Sequence, residues 1–189
     1  MPTTDLHSEP PGSEPIAADV REFNAADTSL LTEVARLRVR AWRAYERLPA
    51  FQAMDMWLDT YDEEARHWAC FVDASLVGAA RLTVHPRIGD APEHSSWGHL
   101  VREGRTPIGM LSRLVVAPEA RGRRLSGALD RARLIAAREC GVRDLLVVTY
   151  TRRAASLARL GFEEMGRFEY REGPLVEDKD NVLLRLAVE

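Results

Sequence analysis

Residues Ser112 to Leu134, SRLVVAPEARGRRLSGALDRARL, hold the densest chemistry in the chain. An apolar, β-branched run (Leu114, Val115, Val116) stops at Ala117-Pro118-Glu119-Ala120. Arg121-Gly122-Arg123-Arg124-Leu125-Ser126-Gly127 follows, and then a helical pattern of Leu129, Ala132, Leu134, Ile135 and Arg138. A strand that feeds a small-residue turn opening a helix makes an anion site. The first helical N–H groups have no partner within the helix, and the dipole places about half a positive charge there. Arg121, Arg123 and Arg124 add charge, so a phosphate or pyrophosphate is expected at this turn, with the Ser126 hydroxyl as a further donor.

A second constellation precedes it. Arg81 and Arg113 fall in apolar runs that read as neighbouring strands. Half-buried arginines on strands need carboxylate partners or they cost several kcal/mol each. Asp59 and Asp62, three apart, face one side of a turn or helix and supply them. The cluster reads either as an ion network that holds the fold or as one wall of a ligand pocket. Arg113, on the central strand, belongs more to the second reading. Asp62, Glu63, His67 and His85 are the candidate bases, the histidines because they titrate near neutrality.

The elements that must position these groups alternate between strand and helix patterns. Val20–Phe23 reads as a strand and Ser29 to about Glu46 as an amphipathic helix. Pro49 interrupts it, and Phe51–Leu58 begins a second helix. Trp68–Val72 and Leu76–His85 form a hairpin about Asp73-Ala74-Ser75. Residues 86–108, with Pro86, Gly89, Pro92, Gly98, Gly104 and Pro107, form a long loop with one helical turn near Trp97–Val101. Loops of this length in a compact domain are functional or mobile. Met110–Val116 is the central strand. Asp144–Val148 and the helix Ala154–Leu160, stopped by Gly161, form a further unit. Phe162–Tyr170 and Val182–Val188 close the sheet, joined by a loop carrying Glu172, Glu177, Asp178 and Asp180. The class is α/β. Residues 1–17, rich in Pro, Ser, Thr and Glu, are expected to be a flexible tail, and 18–189 one domain.

Composition narrows the function. Apolar residues make up 46% of 189, a normal globular share. A net charge of −3 gives no general pull towards nucleic acid or anionic membrane. No apolar run has membrane-helix length, and no basic-then-apolar leader opens the chain. Lys179 is the only lysine, so positive charge is almost all arginine. Cys70 and Cys140 suit a reducing compartment, and the expected location is cytoplasmic. His85, His94 and His99 match no zinc spacing, so no metal is expected.

The turn resembles that of the GNAT superfamily of acyl-CoA-dependent N-acyltransferases. Their Q/R-x-x-G-x-G/A pattern falls on Arg121-Gly122-Arg123-Arg124-Leu125-Ser126, with Arg124 and Ser126 in place of the usual small residues. Gly161-Phe162 is similar to a common GNAT ending of the next helix. The tyrosine that often serves as general acid four residues earlier is here Leu157; Tyr150 lies seven further back. The first half resembles the autoinducer (acyl-homoserine-lactone) synthases and the related N-acyl amino acid synthases. The matching steps are Arg38-Val39-Arg40-Ala41-Trp42, Asp59-Thr60-Tyr61-Asp62, Gly78-Ala79-Ala80-Arg81-Leu82 and Met110-Leu111-Ser112-Arg113-Leu114. Met110 stands where that branch has glutamate, and Leu48 where it has an aromatic. Homoserine lactone synthesis from S-adenosylmethionine is therefore not expected.

The resemblance implies a GNAT fold, a mixed sheet of about seven strands with helices on both faces. It implies transfer of an acyl group, acetyl or longer, from acyl-CoA or an acyl-carrier protein to the amine of a small molecule. It places catalytic roles on Asp62, Arg81, Ser112 and Arg113. It places the pantetheine thioester along Leu114, Val115 and Val116 and its phosphates on Arg121, Gly122, Arg123, Arg124, Leu125, Ser126 and Gly127. Two alternatives stand beside it: a CoA-binding module that has lost catalysis, and a protein acetyltransferase whose basic acceptor meets the acidic loop. The oligomeric state is left open, a dimer included.

Overall fold

A computed structural model describes residues 18–44, 48–101, 103–171 and 173–189. The expected tail, the end of the expected first helix at Glu46, and Glu172 of the acidic loop lie outside the described residues.

Seven strands form one sheet in the order β1-β2-β3-β4-β5-β7-β6. They are β1 (Asp19–Phe23), β2 (Arg66–Val72), β3 (Ser75–His85), β4 (Ile108–Val116), β5 (Asp144–Tyr150), β6 (Glu163–Phe168) and β7 (Asn181–Ala187). Among the described residues four α-helices accompany them: α1 (Thr28–Arg43), the single turn α2 (His94–Trp97), α3 (Leu125–Glu139) and α4 (Thr151–Ala158). Side chains alternate along the strands between two clusters. Leu145, Val147, Val182 and Leu184 join the first, with Leu37, Leu129 and Leu157 from α1, α3 and α4. Leu146 and Leu183 point the other way, into a second cluster with Val39, Phe51, Trp57 and Trp97. The β2–β3 hairpin turns on Asp73 and Ala74, both left-handed at φ 48° and 62°, the two-residue turn that suits strand twist.

The helix expected over Phe51–Leu58 is not formed. One 3₁₀ turn, Pro49–Phe51, is followed by irregular chain. Packing has overridden the periodicity. Phe51 and Trp57 meet edge to face at 4.9 Å and wedge against Trp42. The backbone groups a helix would have paired are satisfied from α1: Arg43 donates to the carbonyls of Phe51 and Met54, and the Trp57 N–H donates to Ala35.

Among the described residues β4 and β5 are the only parallel neighbours, and they pair over just Ile108–Leu111 and Asp144–Val147. At this closed end the buried Asp144 carboxylate accepts the Arg105 N–H at 2.6 Å and the guanidinium groups of Arg105 and Arg185. Gly109 sits in the same seam, where a Cβ would lie 2.7 Å from Leu145 Cδ1 and 3.1 Å from Val142 Cγ1. Gly109→Ala is therefore expected to cost about 1–3 kcal/mol through overpacking, read by chemical unfolding. Beyond Leu111 and Val147 the two strands part.

Candidate active site

The parting strands open a cavity of about 230 Å³. One lip is β4, Leu111 to Val116; the other is β5, Val147 to Tyr150. Trp42, Trp57, Glu93, Tyr170 and Leu175 close one part of it; Arg121, Ser126, Arg152 and Arg153 line another. β4 is irregular here. Ala79 faces Val115 while Arg81 faces Ser112, so two steps on β3 match three on β4. The extra residue forms a bulge, and Arg113 takes a left-handed φ of 52°. That conformation costs a non-glycine residue about 1–2 kcal/mol, and it persists because the Arg113 side chain is held from three sides.

Those holds belong to a row of charges. Arg38, wholly buried on α1, donates to both oxygens of Asp62 at 2.9 and 3.0 Å. Asp62 also lies 3.0 Å from Arg81, which donates to Asp59 at 2.5 Å. Asp59 accepts from Arg113 at 2.6 Å, and Arg113 donates to Glu93 at 3.0 Å. The Arg113 guanidinium lies 4.0 Å from the Trp57 ring centroid. Asp59 and Asp62 close a capping box on the 3₁₀ turn Thr60–Asp62, which fixes both carboxylates beneath the sheet. Arg81 also donates to Ser112 Oγ at 3.0 Å.

Burial and charge compete along this row. Burial drives the Arg38 guanidinium down to about 10, with Asp62 opposing and Arg81 adding. Burial would raise the Asp59 carboxyl, but Arg81 and Arg113 outweigh it and hold the group well below the ordinary carboxylate range. Asp62 is lowered likewise, burial being overcome by Arg38 and Arg81. Arg113 is raised: burial opposes its charge, and Glu93 and Asp59 more than offset that.

The candidate bases fall away from the cavity. His67 is buried, stacked on Phe23 and hydrogen-bonded to the Asp62 carbonyl. His85 meets Thr83 at 2.8 Å and the edge of Tyr61. Neither histidine, nor Asp62, Glu63 or Arg81, lines the cavity. Burial lowers both histidines from 6.5, so each is neutral in the fold. The unfolded chain then binds protons first as pH falls. The stability they contribute is complete above pH 6.5 and is lost as pH drops from there towards their folded values. Asp59 and Asp62 contribute stability that is present above 3.8 and lost below it. Unfolding midpoints are therefore expected to decline in two steps from about pH 6.5 downwards, with His67→Gln flattening the upper step.

The glycine-arginine turn divides. Arg121 is anchored, its guanidinium donating to the carbonyls of Val116 and of Ala41 on α1. With Ser126 it lines the cavity, as do Ser112, Arg113 and Leu114 to Val116. Gly122, Arg123, Arg124, Leu125 and Gly127 do not. Gly122, Arg123 and Arg124 are exposed, while Leu125 is packed into the core. Behind the turn, Asp130 of α3 accepts from Arg133 and from Arg153 of α4, both at 2.5 Å. Arg133 is wholly buried and reaches the carbonyls of Arg81 and Ser112. Burial lowers it to about 10, against the pull of Asp130. In the acidic loop Asp178 is buried rather than solvated, accepting the Asp180 N–H at the entry to β7.

Sequence reasoning passed over Glu93, Trp57, Tyr170 and the Asp130–Arg133–Arg153 set. The i, i+3 spacing of Asp130 and Arg133 was a usable signal. For Glu93 the one signal was the length of its loop.

A sequence profile described as the acetyltransferase (GNAT) family matches residues 31–162. The chain belongs to that family. No curated protein matches it in sequence. Solved structures share the fold at low identity. FeeM, an N-acyl amino acid synthase from uncultured soil microbes, superposes with a TM-score of 0.67 at 14% identity, over 90% of this chain and 91% of that one. The acyl-homoserine-lactone synthase LasI gives 0.67 at 18%, over 92% and 91%. ElaA of Escherichia coli gives 0.64 at 14%, over 89% and 98%. As a GNAT chain it is an acyltransferase in kind. Its turn departs from the family pattern at Arg124, which adopts φ 59° just ahead of α3. A left-handed backbone is what glycine supplies without cost, so the arginine keeps the shape of the turn at an expense of about 1 kcal/mol. No helix among the described residues is long and apolar enough to cross a membrane.

Proposed function

We propose that this GNAT chain is an N-acyltransferase that moves an acyl group, acetyl or longer, from acyl-CoA to the amine of a small molecule. The observation that carries the reading is the cavity between the parted ends of β4 and β5, beside the turn that opens α3. A thioester arm fits between two strand lips that have no ladder partner on their facing sides. Its phosphates fall on Arg121 to Gly127, where the first N–H groups of a 15-residue helix and exposed arginines converge.

The chemistry follows from the placement. Seating the thioester along Leu114 to Val116 brings its carbonyl to the bulge, where a backbone N–H of β4 stabilises the tetrahedral oxyanion. Arg113 and Ser112 shape the wall beside it. Asp62 and Arg81 act one step removed, fixing Asp59 and Ser112 so that Arg113 stays in its left-handed conformation. The acceptor approaches from the side of Trp57, Tyr170 and Leu175, an enclosed and largely aromatic surface that suits a small molecule better than a peptide. The two free cysteines accord with a cytoplasmic setting.

Thermal unfolding with CoA, acetyl-CoA and a long-chain acyl-CoA tests the donor. At a ligand concentration a hundred times Kd the stabilisation is about 2.7 kcal/mol. Arg124→Glu is expected to abolish most of that shift while leaving the unliganded midpoint close to wild type. An absent shift with every thioester would sink acyl-CoA as donor and leave a carrier protein. Thiol release with a panel of free amines then separates an enzyme from a binding module, and a strict peptide requirement marks a protein acetyltransferase.

A further inference from the structure

We infer that Glu93 is the residue that receives the acceptor: it holds the amine in the cavity and takes a proton from its nitrogen as the carbon–nitrogen bond forms. This rests on the N-acyltransferase reading above. An amide-forming transfer needs a group that removes a proton from nitrogen, and the candidate bases legible in the sequence all lie outside the cavity. Among the described residues, Glu93 is the only carboxylate that lines it, and no histidine or lysine does.

The carboxylate is set for the role. Glu93 sits in the β3–β4 loop with a left-handed φ of 61°, a conformation that disfavours a residue with a Cβ. Its Oε1 accepts from Arg113 at 3.0 Å, and Oε2 has no hydrogen bond among the described residues. The charges leading to it alternate strictly: Arg38, Asp62, Arg81, Asp59, Arg113, Glu93. The row ends in the cavity on a negative group, so a cation continues it. Beyond Arg113, four guanidinium groups, those of Arg121, Arg133, Arg152 and Arg153, line the remaining wall and repel an ammonium there. The acceptor class that fits is a small primary amine whose carbon skeleton rests on Trp57 and Tyr170.

The step balances. The acceptor arrives as R–NH3+, loses one proton to water and reacts as R–NH2, its lone pair forming the C–N bond at the thioester carbon. The C–S bond breaks, and its electron pair leaves with sulfur as the thiolate. One N–H proton passes to Glu93 Oε2 and on to water, and the thiolate takes one proton from water. The products are the amide and the free thiol.

The test uses the full chain, an acyl-CoA that raises its unfolding midpoint, and a panel of primary amines, with thiol release followed. Glu93→Gln keeps an oxygen for Arg113 and removes the base. The expected result is a fall in kcat of about 100-fold or more, with the KM for thioester and the thioester-induced shift unchanged. Glu93→Asp, which withdraws the carboxylate by one methylene, should restore part of the loss. A kcat for Glu93→Gln within about threefold of wild type overturns the assignment and leaves the transferase reading standing. No thiol release by the wild type with any amine overturns both. If Glu93→Gln does not fold, Glu93→Ala with added formate decides: thiol release rescued by formate supports the assignment, and a kcat within about threefold of wild type without it overturns the assignment.

Discussion

Asp62→Asn is expected to lower the unfolding free energy by about 3–5 kcal/mol, against a total of about 5–15 for a domain of this kind. Asp62 lies between two arginines that have no access to water: Arg38 and Arg81 are both 0% exposed. Removing its charge leaves Arg38 hydrogen-bonded to the Trp57 carbonyl and leaves two guanidinium groups with no charge between them. The substitution also weakens the capping box, in which an Asp62 oxygen accepts the Asp59 N–H. Urea unfolding measures the loss. A companion Asp19→Asn, at an exposed pair, should change stability by less than about 1 kcal/mol. The double variant Arg38→Met with Asp62→Asn should be less damaged than the sum of the singles, because the stranded charge goes with its partner. Additive losses would show that the pair is not what Asp62 stabilises.

The second large effect is expected at Asp130→Asn, again about 3–5 kcal/mol. One buried carboxylate ties α3 to α4 by holding Arg133 and Arg153. Arg133 in turn reaches through to the Arg81 and Ser112 carbonyls, next to the bulge. Loss of the charge therefore loosens the floor of the cavity as well as the fold. Unfolding and thioester-induced shifts should both fall. A destabilised variant with an undiminished shift would place Asp130 in the scaffold alone.

The strands were legible because each is an apolar, β-branched run bounded by turn residues, Leu76–His85 and Met110–Val116 most clearly. The pairing of Asp59 with Arg81 and Arg113 was legible too, because arginines on inner strands demand carboxylates. Phe51–Leu58 misled, since Phe51, Met54, Trp57 and Leu58 recur at helical spacing. In the fold Phe51 and Trp57 are swallowed by the second cluster, while Leu58 stays 44% exposed. That division comes from Arg43 and Ala35 of α1, which no local pattern encodes. Glu93 was invisible for a related reason. It meets Arg113 twenty residues away from a loop with no periodicity, and its backbone conformation belongs to the tertiary fold.

The separation of β4 from β5 has a consequence for solvent exchange. Ile108 to Leu111 are sealed on both sides, by β3 and by β5, and their amide protons should exchange only when the sheet opens as a whole. A few residues on, Ser112 to Val116 have no neighbour on the β5 side, and the amides that face the gap should exchange far faster, within the same strand. A molecule lying in that gap would take over the duty of the absent neighbour. Its arrival would then be recorded as a sudden slowing at those gap-facing positions, whatever acyl group it carried.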